Sequence, residues 1–279
     1  MFTLRSKYCM ALLPALLLTA SSLIAGEDKE NCNKKDSTNS NRFYIGGFGG
    51  ELFSNTAHVS QMGTALFQTV EGPLAVEARG YTKKASPGFG GVQLGYEWSK
   101  RIDKCRHWAL APGAEMEGYW YSRHVKGHLM NATDTDRLPE HDFLDTFHMN
   151  AGVYLANFVL SLNNTWKLSP YVAAGVGASR MSLRNAKSLQ VAPKEPGINH
   201  FNSRTHDSSW AFAAQIKAGL RYKLRWFHVF GEYRYLFVDF SNYIFGSTVY
   251  PTHAHTTPWN VKFQNIQYNG FAFGVQFDL

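Results

Sequence analysis

Apolar and polar residues alternate along most of the chain after Arg42, in segments about ten residues long. Successive side chains of a β-strand point to opposite faces, so a period of two residues indicates strands. No long stretch with the helical period of 3.6 competes with it. The clearest segments are 88–99, 210–222, 228–238 and 271–279, and the less regular ones are 43–53, 108–121, 146–160 and 170–183. The alternation therefore predicts eight strands.

One face of each clear segment is apolar, and the opposite face carries polar or charged residues. The apolar set of the last segment is Phe271, Phe273, Val275, Phe277 and Leu279. The charges on the opposite faces are Glu97, Glu115, Glu117, Lys217, Arg221, Glu232 and Arg234. In 146–160 the pattern places the outer face at Phe147, Met149, Ala151, Val153 and Leu155. Asn157 interrupts this set and indicates a bulge. In 43–53 and 170–183 the pattern does not show which face points outward.

The connections between the predicted strands fall into two classes. The short turns lie near 100–107, 163–169 and 224–227, and the long polar connections lie near 54–87, 122–145, 184–208 and 239–265. This rhythm is typical of an up-and-down barrel with all of its long loops at one end. We therefore predict an all-β fold over residues 42–279, an eight-stranded antiparallel up-and-down barrel.

Alternation alone also fits a secreted soluble barrel whose apolar face points inward, but two observations favour the membrane. Tryptophans collect near the predicted strand ends, as in the aromatic belts at the two membrane interfaces: Trp98, Trp108, Trp120, Trp166, Trp210 and Trp226. The last strand is apolar at alternate positions up to Leu279, and closure against the first strand would remove an edge that invites aggregation. We predict a transmembrane β-barrel, in which the 44% of hydrophobic residues belongs largely to a lipid-facing set.

The first 25 residues have the layout of a secretory signal peptide. Arg5 and Lys7 precede an apolar stretch, and charged residues follow Gly26 at once. We predict a signal peptide over 1–25 and a flexible periplasmic leader over 26–41, with an uncleaved anchor helix as the alternative. Loss of two cations lowers the net charge from +7 to +5. That excess is too small to indicate binding to nucleic acid.

Two cysteines remain after the predicted cleavage, in an oxidising compartment. Cys32 precedes the first strand and Cys105 lies in the first short turn, so both are periplasmic in this topology. The leader is long enough to join them, since an extended chain spans about 3.3 Å per residue. We predict a Cys32–Cys105 disulfide, with two free thiols as the alternative.

Five glycine- and aromatic-rich segments carry a family resemblance: FYIGGFGG (43–50), GVQLGYEW (91–98), PYVAAGVGASR (170–180), GEYRYLF (231–237) and FAFGVQFDL (271–279). With these segments, the whole mature region resembles the eight-stranded OmpA-like outer-membrane barrels, including opacity-protein-like surface antigens. The resemblance implies the outer membrane of a Gram-negative bacterium and insertion by its assembly machinery, which reads the C-terminal strand. Family members usually end in Phe, and Leu279 departs from this. The resemblance is to the barrel alone and implies no binding to peptidoglycan.

The interior of an eight-stranded barrel is just wide enough for side chains to fill it. Charges in such a narrow, low-dielectric space must pair or meet water, so we expect the seven inward charges to form a salt-bridged plug. A gated ion path is the alternative. The predicted protein is a monomer with a structural or surface-interaction (adhesin-like) role, whose four long loops contact a host or surface ligand. The alternative functions are a small channel and, remotely, a lipid-modifying enzyme.

The long connections contain eight histidines: His58, His124, His128, His141, His200, His206, His253 and His255. Clustered histidines bind metals or sense pH, but HVKGH and HAH are weak motifs. We therefore expect solvated histidines, with no metal and no cofactor. Apart from outer-membrane lipid, the predicted partner of the loop cations is lipopolysaccharide phosphate, with a solvated face as the alternative. These cations are Arg123, Lys126, Lys187, Lys194, Arg204 and Lys262.

Catalysis would need a nucleophile beside a histidine and an acid at one rim of the barrel. His148, near Asp142 and Asp145, is the best candidate in the sequence, and no nucleophile is recognisable beside it. We therefore expect that the protein is not an enzyme.

Overall fold

The computed structural model of the protein describes residues 41–98, 100–101, 108–137, 140–164 and 166–279. The predicted signal peptide and nearly all of the predicted leader lie outside these residues. Cys32, Cys105 and the side chain of Trp108 lie outside them as well, so the disulfide stays a prediction.

The described residues form strands that belong to one antiparallel sheet. In chain order they are β1 (Arg42–Ser54), β2 (His58–Ala65), β3 (Leu74–Thr82), β4 (Gly88–Glu97), β5 (Lys100–Arg101), β6 (Trp108–Asn131), β7 (Asp142–Asn164), β8 (Leu168–Ala192), β9 (Asp207–Lys223), β10 (Phe227–Val238), β11 (Ser241–Phe245), β12 (Trp259–Gln264) and β13 (Ile266–Asp278). None of the described residues belongs to a helix long and apolar enough to cross a membrane.

Eight of these strands form a closed ring in the order β1, β4, β6, β7, β8, β9, β10 and β13. The first and last members, β1 and β13, pair with each other from Tyr44 opposite Asp278 to Ser54 opposite Tyr268. The ring has no free edge, because every strand has two neighbours. The prediction of an eight-stranded antiparallel up-and-down barrel is therefore confirmed.

The lower part of the barrel is apolar outside and charged inside. Its exposed residues include Val92, Leu94, Phe212, Ile216, Leu220, Phe271 and Phe273, and the interleaved residues that face the lumen are buried, among them Glu97, Lys217 and Arg221. Water would favour the opposite arrangement, since exposed apolar surface costs free energy in proportion to its area. An apolar exterior around a polar interior is the arrangement of a barrel that spans a membrane.

The facing predicted for β7 is wrong. Phe147, Met149 and Val153 are buried inside the barrel, as are Ala151 and Leu155, while Tyr154, Phe158 and Leu162 are exposed on the outer wall. Both faces of this strand are apolar, so alternation could not distinguish them. The bulge predicted at Asn157 is also absent from this strand: the pairing of β7 with β8 is regular from Met149 to Ser161, and the register shifts lie between Asp142 and Phe143 and between Thr146 and His148.

About half of the residues in the four connections predicted as long polar loops belong to strands. β2 and β3 lie in the first, β11 and β12 lie in the fourth, and β6, β7 and β8 continue into the second and third. In the upper part of β6, buried Val125 and Leu129 alternate with exposed His124, Lys126 and His128. Here the apolar face points inward, as in a water-soluble sheet. The apolar residues therefore face outward within the membrane and inward above it. Because the prediction looked for apolar residues on the outer face, it took the upper part of the strand for a loop.

These upper strands form a β extension of the barrel, in the order β11, β12, β2, β3, β6, β7 and β8. Backbone hydrogen bonds from Gly246 to Arg204 (2.9 Å) and from Ser203 to Ser247 (3.3 Å) join the residues after β11 to the connection between β8 and β9. The extension encloses a core of buried aromatic side chains: Phe143, Phe147, Phe201, Tyr243, Phe245, Trp259 and Phe263. The extension is therefore folded around a packed aromatic interior, which belongs to the same buried cluster as Phe48 and Tyr119 of the barrel.

Candidate functional site: the lumen and the outer rim

A network of charged side chains fills the lower lumen and is centred on Lys217 of β9. Its Nζ lies 2.6 Å from Oε1 of Glu115 and 2.8 Å from Oε2 of Glu117, both on β6. Oε2 of Glu232, on β10, lies 3.7 Å away. Three buried carboxylates therefore surround one buried ammonium group.

Arginines extend this network toward the end of the barrel that carries the short turns. Nη1 of Arg221 lies 2.7 Å from Oε1 of Glu97, and Nε of Arg42 lies 3.2 Å from Oε2 of the same carboxylate. Ser161 donates a further hydrogen bond of 2.9 Å to Glu97. Glu97 is thus held between two cations and a hydroxyl group.

Arg234 of β10 forms the other end of the network. It donates a hydrogen bond to Glu232, and its Nη1 lies 3.6 Å from Oε1 of Glu117. The guanidinium group packs over the Phe48 ring, 4.6 Å from the ring centre, and lies 5.1 Å from the ring centres of Phe89 and Tyr119. Aromatic rings therefore cover the charge network where the lumen continues toward the extension.

Two tyrosines donate to the central carboxylates, and glycines give them room. Tyr44 donates to Glu115 (2.8 Å) and Tyr171 donates to Glu232 (2.7 Å). A Cβ atom on Gly95 would lie 2.3 Å from the Tyr44 ring, and one on Gly219 would lie 2.8 Å from the Tyr171 ring. The inward glycines of β4 and β9 thus provide the space that the lumen tyrosines occupy.

The structure brings together all seven charged residues that the sequence placed in the lumen. It adds Arg42, so four cations balance the four buried glutamates, and Arg42 also lies 3.1 Å from Oδ1 of the half-exposed Asp278. Asn157 is also a member, since it donates to Glu115 (3.0 Å) and accepts from Gln215 (2.9 Å). Arg42 and Tyr44 could not be placed in the lumen from the sequence, because the pattern in 43–53 does not show which face of the strand points inward.

Exposed tryptophans lie at two levels of the outer wall. Trp98, Trp166 and Trp226 are exposed near the short turns. Trp120 and Trp210 are exposed at the other level, and the Tyr154 ring lies 6.2 Å from each of them. Trp98 is hydrogen-bonded to Pro112, and Trp120 lies eight residues further along β6. At about 3.3 Å per residue and a tilt of about 40°, this separation is about 20 Å, close to the apolar band of about 25 Å in such barrels.

Basic side chains lie at and directly above the upper aromatic level, on the outer faces of β6, β7 and β8. We name this set the outer basic patch: His124, Lys126, His148, Arg180, Arg184 and Lys187. His124 is opposite His148 across β6 and β7, and His148 is opposite Arg184 across β7 and β8. Arg180 also lies over the Trp210 ring, 5.9 Å from its centre. A belt of aromatic rings thus borders a row of cations.

The other loop cations named from the sequence lie elsewhere. Arg123 points into the barrel and is buried, where it donates to Ser54 (2.7 Å), so it cannot contact molecules outside the wall. Arg204 donates to the carbonyl oxygen of Ile244, and Lys262 lies 5.1 Å from the centre of the Phe240 ring. Lys194 is exposed in the connection between β8 and β9.

The sequence-predicted catalytic candidates do not form one site. His148 faces outward, where its Nε2 lies 3.3 Å from Oγ of Ser122, whereas Asp145 is fully buried on the inner face of the extension. Burial raises the pKa of Asp145 to about 7. Asp142 accepts a backbone hydrogen bond from Asn131 (2.8 Å). Within the described part of the chain, no carboxylate is hydrogen-bonded to His148.

Three long-connection histidines that are far apart in sequence meet at the top of the extension. The His200 ring lies 5.2 Å from the His253 ring and 6.2 Å from the His141 ring, between ring centres. His200 is fully buried, and burial lowers its pKa and that of His141 to about 4. His255, also in the HAH segment, is exposed.

No protein-family model and no curated protein matches the chain. Solved structures of outer-membrane and surface proteins are similar to it. OprG from Pseudomonas aeruginosa is 13% identical, with a TM-score of 0.47 over 84% of this chain and 95% of OprG. Neisserial surface protein A is 13% identical, with a TM-score of 0.33 over 85% of this chain and 97% of its own. Ail is the attachment invasion locus protein of Yersinia pestis, and its structure was solved with the heparin analogue sucrose octasulfate. It is 12% identical, with a TM-score of 0.26 over 82% of this chain and 98% of Ail.

The fold assignment rests on the closed ring of eight strands and on the distribution of apolar residues. The role of the chain must therefore be argued from its own side chains.

Proposed function

We propose that this chain is a non-conducting outer-membrane barrel that holds a folded β extension outside the cell for contact with other surfaces. The observation that carries the proposal is the filled interior. A charge-balanced network closes the lower lumen, and an aromatic core continues from it into the extension. A barrel closed in this way acts through the surface that it displays, since loops and strands on a rigid scaffold commonly carry binding residues.

The outer membrane is the location that best fits the exterior. The apolar band between the two aromatic levels, about 20 Å tall, is close to the band of about 25 Å in outer-membrane barrels. The short turns and the extension lie at opposite ends of it. In bacterial outer-membrane barrels, the short turns are periplasmic and the long connections are extracellular. The extension would therefore face the outside of the cell.

Adhesion of cells to a host-cell monolayer tests the surface role. We expect that cells displaying the full chain adhere, and that cells displaying a barrel trimmed at the level of Ser122 lose this adhesion. The trimmed chain keeps the ring of eight strands, so heat-modifiable migration on gels serves as the control for folding. Equal adhesion by the two folded proteins would contradict a surface-interaction role for the extension.

Ion conductance distinguishes this proposal from the small-channel alternative. Because four carboxylates and four cations pair inside the lumen and aromatic rings cover them, we expect no steady conductance from the pure protein in a planar bilayer. An open porin added to the same bilayer is the positive control. Steady unitary currents from the pure chain would establish the channel alternative.

The proposed lipid partner of the outer basic patch is the phosphate-bearing part of lipopolysaccharide. Cations at and directly above an aromatic belt can reach lipid phosphates, and guanidinium groups bind phosphate through charge-assisted hydrogen bonds. A cation near an anionic lipid surface contributes about 1 kcal/mol, so the loss of two in Arg180→Glu with Arg184→Glu should weaken lipopolysaccharide binding about thirtyfold and lower the co-purified amount accordingly. Lys84→Glu, an exposed change outside the patch, is the matched control. Equal lipopolysaccharide content in the two proteins would refute the assignment.

We propose no catalytic role. The contact between Ser122 and His148 supplies a hydroxyl group and a base at the outer rim, but the third group that would orient the histidine is missing among the described residues. The absence of this orienting acid disfavours the lipid-modifying alternative. Lipid A of cells with and without the protein should give the same mass spectrum.

A further inference from the structure

The structure assigns a divalent transition-metal site, of the kind that zinc occupies, to Glu195, His200 and His253 in the extension. Glu195 and His200 lie in the connection between β8 and β9, and His253 lies in the connection between β11 and β12. Their potential ligand atoms all lie within 4.8 Å of one another.

The hydrogen bonds of the two histidines determine which ring nitrogen is free. Nδ1 of His200 lies 3.1 Å from the carbonyl oxygen of Ser188, and Nδ1 of His253 lies 2.6 Å from the carbonyl oxygen of Ala254. A carbonyl oxygen only accepts, so each Nδ1 carries the proton and each Nε2 of the neutral ring has a lone pair. A histidine that binds a metal commonly donates its other ring N–H to a carbonyl oxygen in this way.

Both free nitrogens face the same carboxylate oxygen. Nε2 of His253 lies 3.2 Å and Nε2 of His200 lies 3.6 Å from Oε2 of Glu195. Nε2 of His200 belongs to a fully buried side chain, and among the described residues it has no hydrogen-bond donor or acceptor that satisfies it. Three acceptor atoms that converge without a hydrogen between them repel one another. A cation at their centre turns this repulsion into coordination.

The spacing and the chemistry of these atoms fit zinc. Zinc lies about 2.0–2.2 Å from imidazole nitrogen and carboxylate oxygen, so neighbouring ligands of a tetrahedral ion are about 3.3–3.5 Å apart. The two distances to Glu195 bracket this value. A set of two imidazoles and one carboxylate is typical of zinc and neighbouring transition metals, whereas calcium and magnesium prefer all-oxygen sites. Three protein ligands leave a fourth position for water.

The surroundings hold the ligands in place before any ion binds. The backbone N–H of His200 donates to Ser188 (2.9 Å), and Thr248 donates to the carbonyl oxygen of His200 (3.0 Å). The site lies beside the seam where residues after β11 meet the connection between β8 and β9. A bound ion would therefore link the two connections that close the extension.

Titration of the untagged, metal-stripped protein in detergent with ZnCl₂, followed by calorimetry, tests this inference. We expect the wild-type protein to bind one zinc ion per chain. His253→Ala and Glu195→Gln should each lower the zinc affinity about tenfold or more relative to the wild type, since each removes a ligand. His255→Ala is the matched control, because it removes an exposed histidine two residues from His253, and its affinity should be unchanged. Heat-modifiable migration confirms that every variant is folded.

Cobalt gives an independent readout of the same site. Co²⁺ bound to the wild-type protein should produce the visible absorption of a four-coordinate ion, and His253→Ala should remove it. Wild-type zinc affinity in folded His253→Ala and Glu195→Gln proteins, or no stoichiometric binding by the folded wild type, would overturn the assignment.

Discussion

Replacing Lys217 by methionine is expected to lower the free energy of unfolding of the barrel by about 3–5 kcal/mol, the usual cost of removing one partner from a buried ion pair. Methionine has a similar length but no charge, so Glu115, Glu117 and Glu232 lose the ammonium group that they share. Of these, Glu115 keeps only neutral donors. Urea unfolding in detergent micelles, followed by the folded band on unheated gels, measures the effect.

Two further variants separate the charge effect from a packing effect. Adding Glu115→Gln to Lys217→Met removes the carboxylate left without a cation, so the double variant should be more stable than the single one. Lys84→Met removes an exposed lysine and should change the free energy of unfolding by less than about 0.5 kcal/mol. If Lys217→Met unfolds at the wild-type urea concentration, the network does not stabilise the barrel.

Replacing Trp259 by alanine is expected to unfold the extension and leave the membrane-spanning ring intact. Trp259 is 1% exposed, packs against Phe143 with 5.9 Å between ring centres, and donates to Thr248 (3.2 Å). Truncation of a buried tryptophan to alanine costs about 3–5 kcal/mol, which is enough to open a small folded unit. Trypsin added to intact cells should then cleave the extension rapidly.

The same experiment has an internal control. Trp226→Ala removes a tryptophan that is exposed in the turn between β9 and β10, so its extension should resist trypsin as the wild type does. The ring in Trp259→Ala should keep its heat-modifiable migration, because β12, which carries Trp259, is not one of the eight ring strands. Wild-type resistance to trypsin in Trp259→Ala would mean that the aromatic core does not hold the extension together.

The lower barrel could be predicted from the sequence because one physical rule governs it. Lys217 and Arg221 alternate with Ile216 and Leu220, and a charge can lie only on the lumen side when the other side contacts lipid. The rule fails in β7, where Phe147 faces inward and Phe158 faces outward. Because both faces of β7 are apolar, the alternation of apolar and polar residues does not show which face points into the lumen.

The extension could not be recognised because the rule inverts above the membrane. Val125 faces inward between His124 and Lys126, and Leu129 faces inward after His128. A search for outward apolar residues takes such a stretch for a loop. The cluster of Glu195, His200 and His253 could not be predicted from the sequence for another reason. Its members belong to two connections far apart in the chain, and the hydrogen bonds between the residues after β11 and the connection between β8 and β9 bring them together.

The central claim is a closed barrel that spans the outer membrane, and membrane fractionation followed by gels of heated and unheated samples tests it most directly. The full chain, expressed in a Gram-negative host with its own N-terminal sequence, should be found in the outer-membrane fraction. Its unheated form should migrate differently from its boiled form, because the ring of eight strands resists detergent until it is heated. Recovery in the soluble or inner-membrane fraction, or identical migration before and after boiling, would contradict the account.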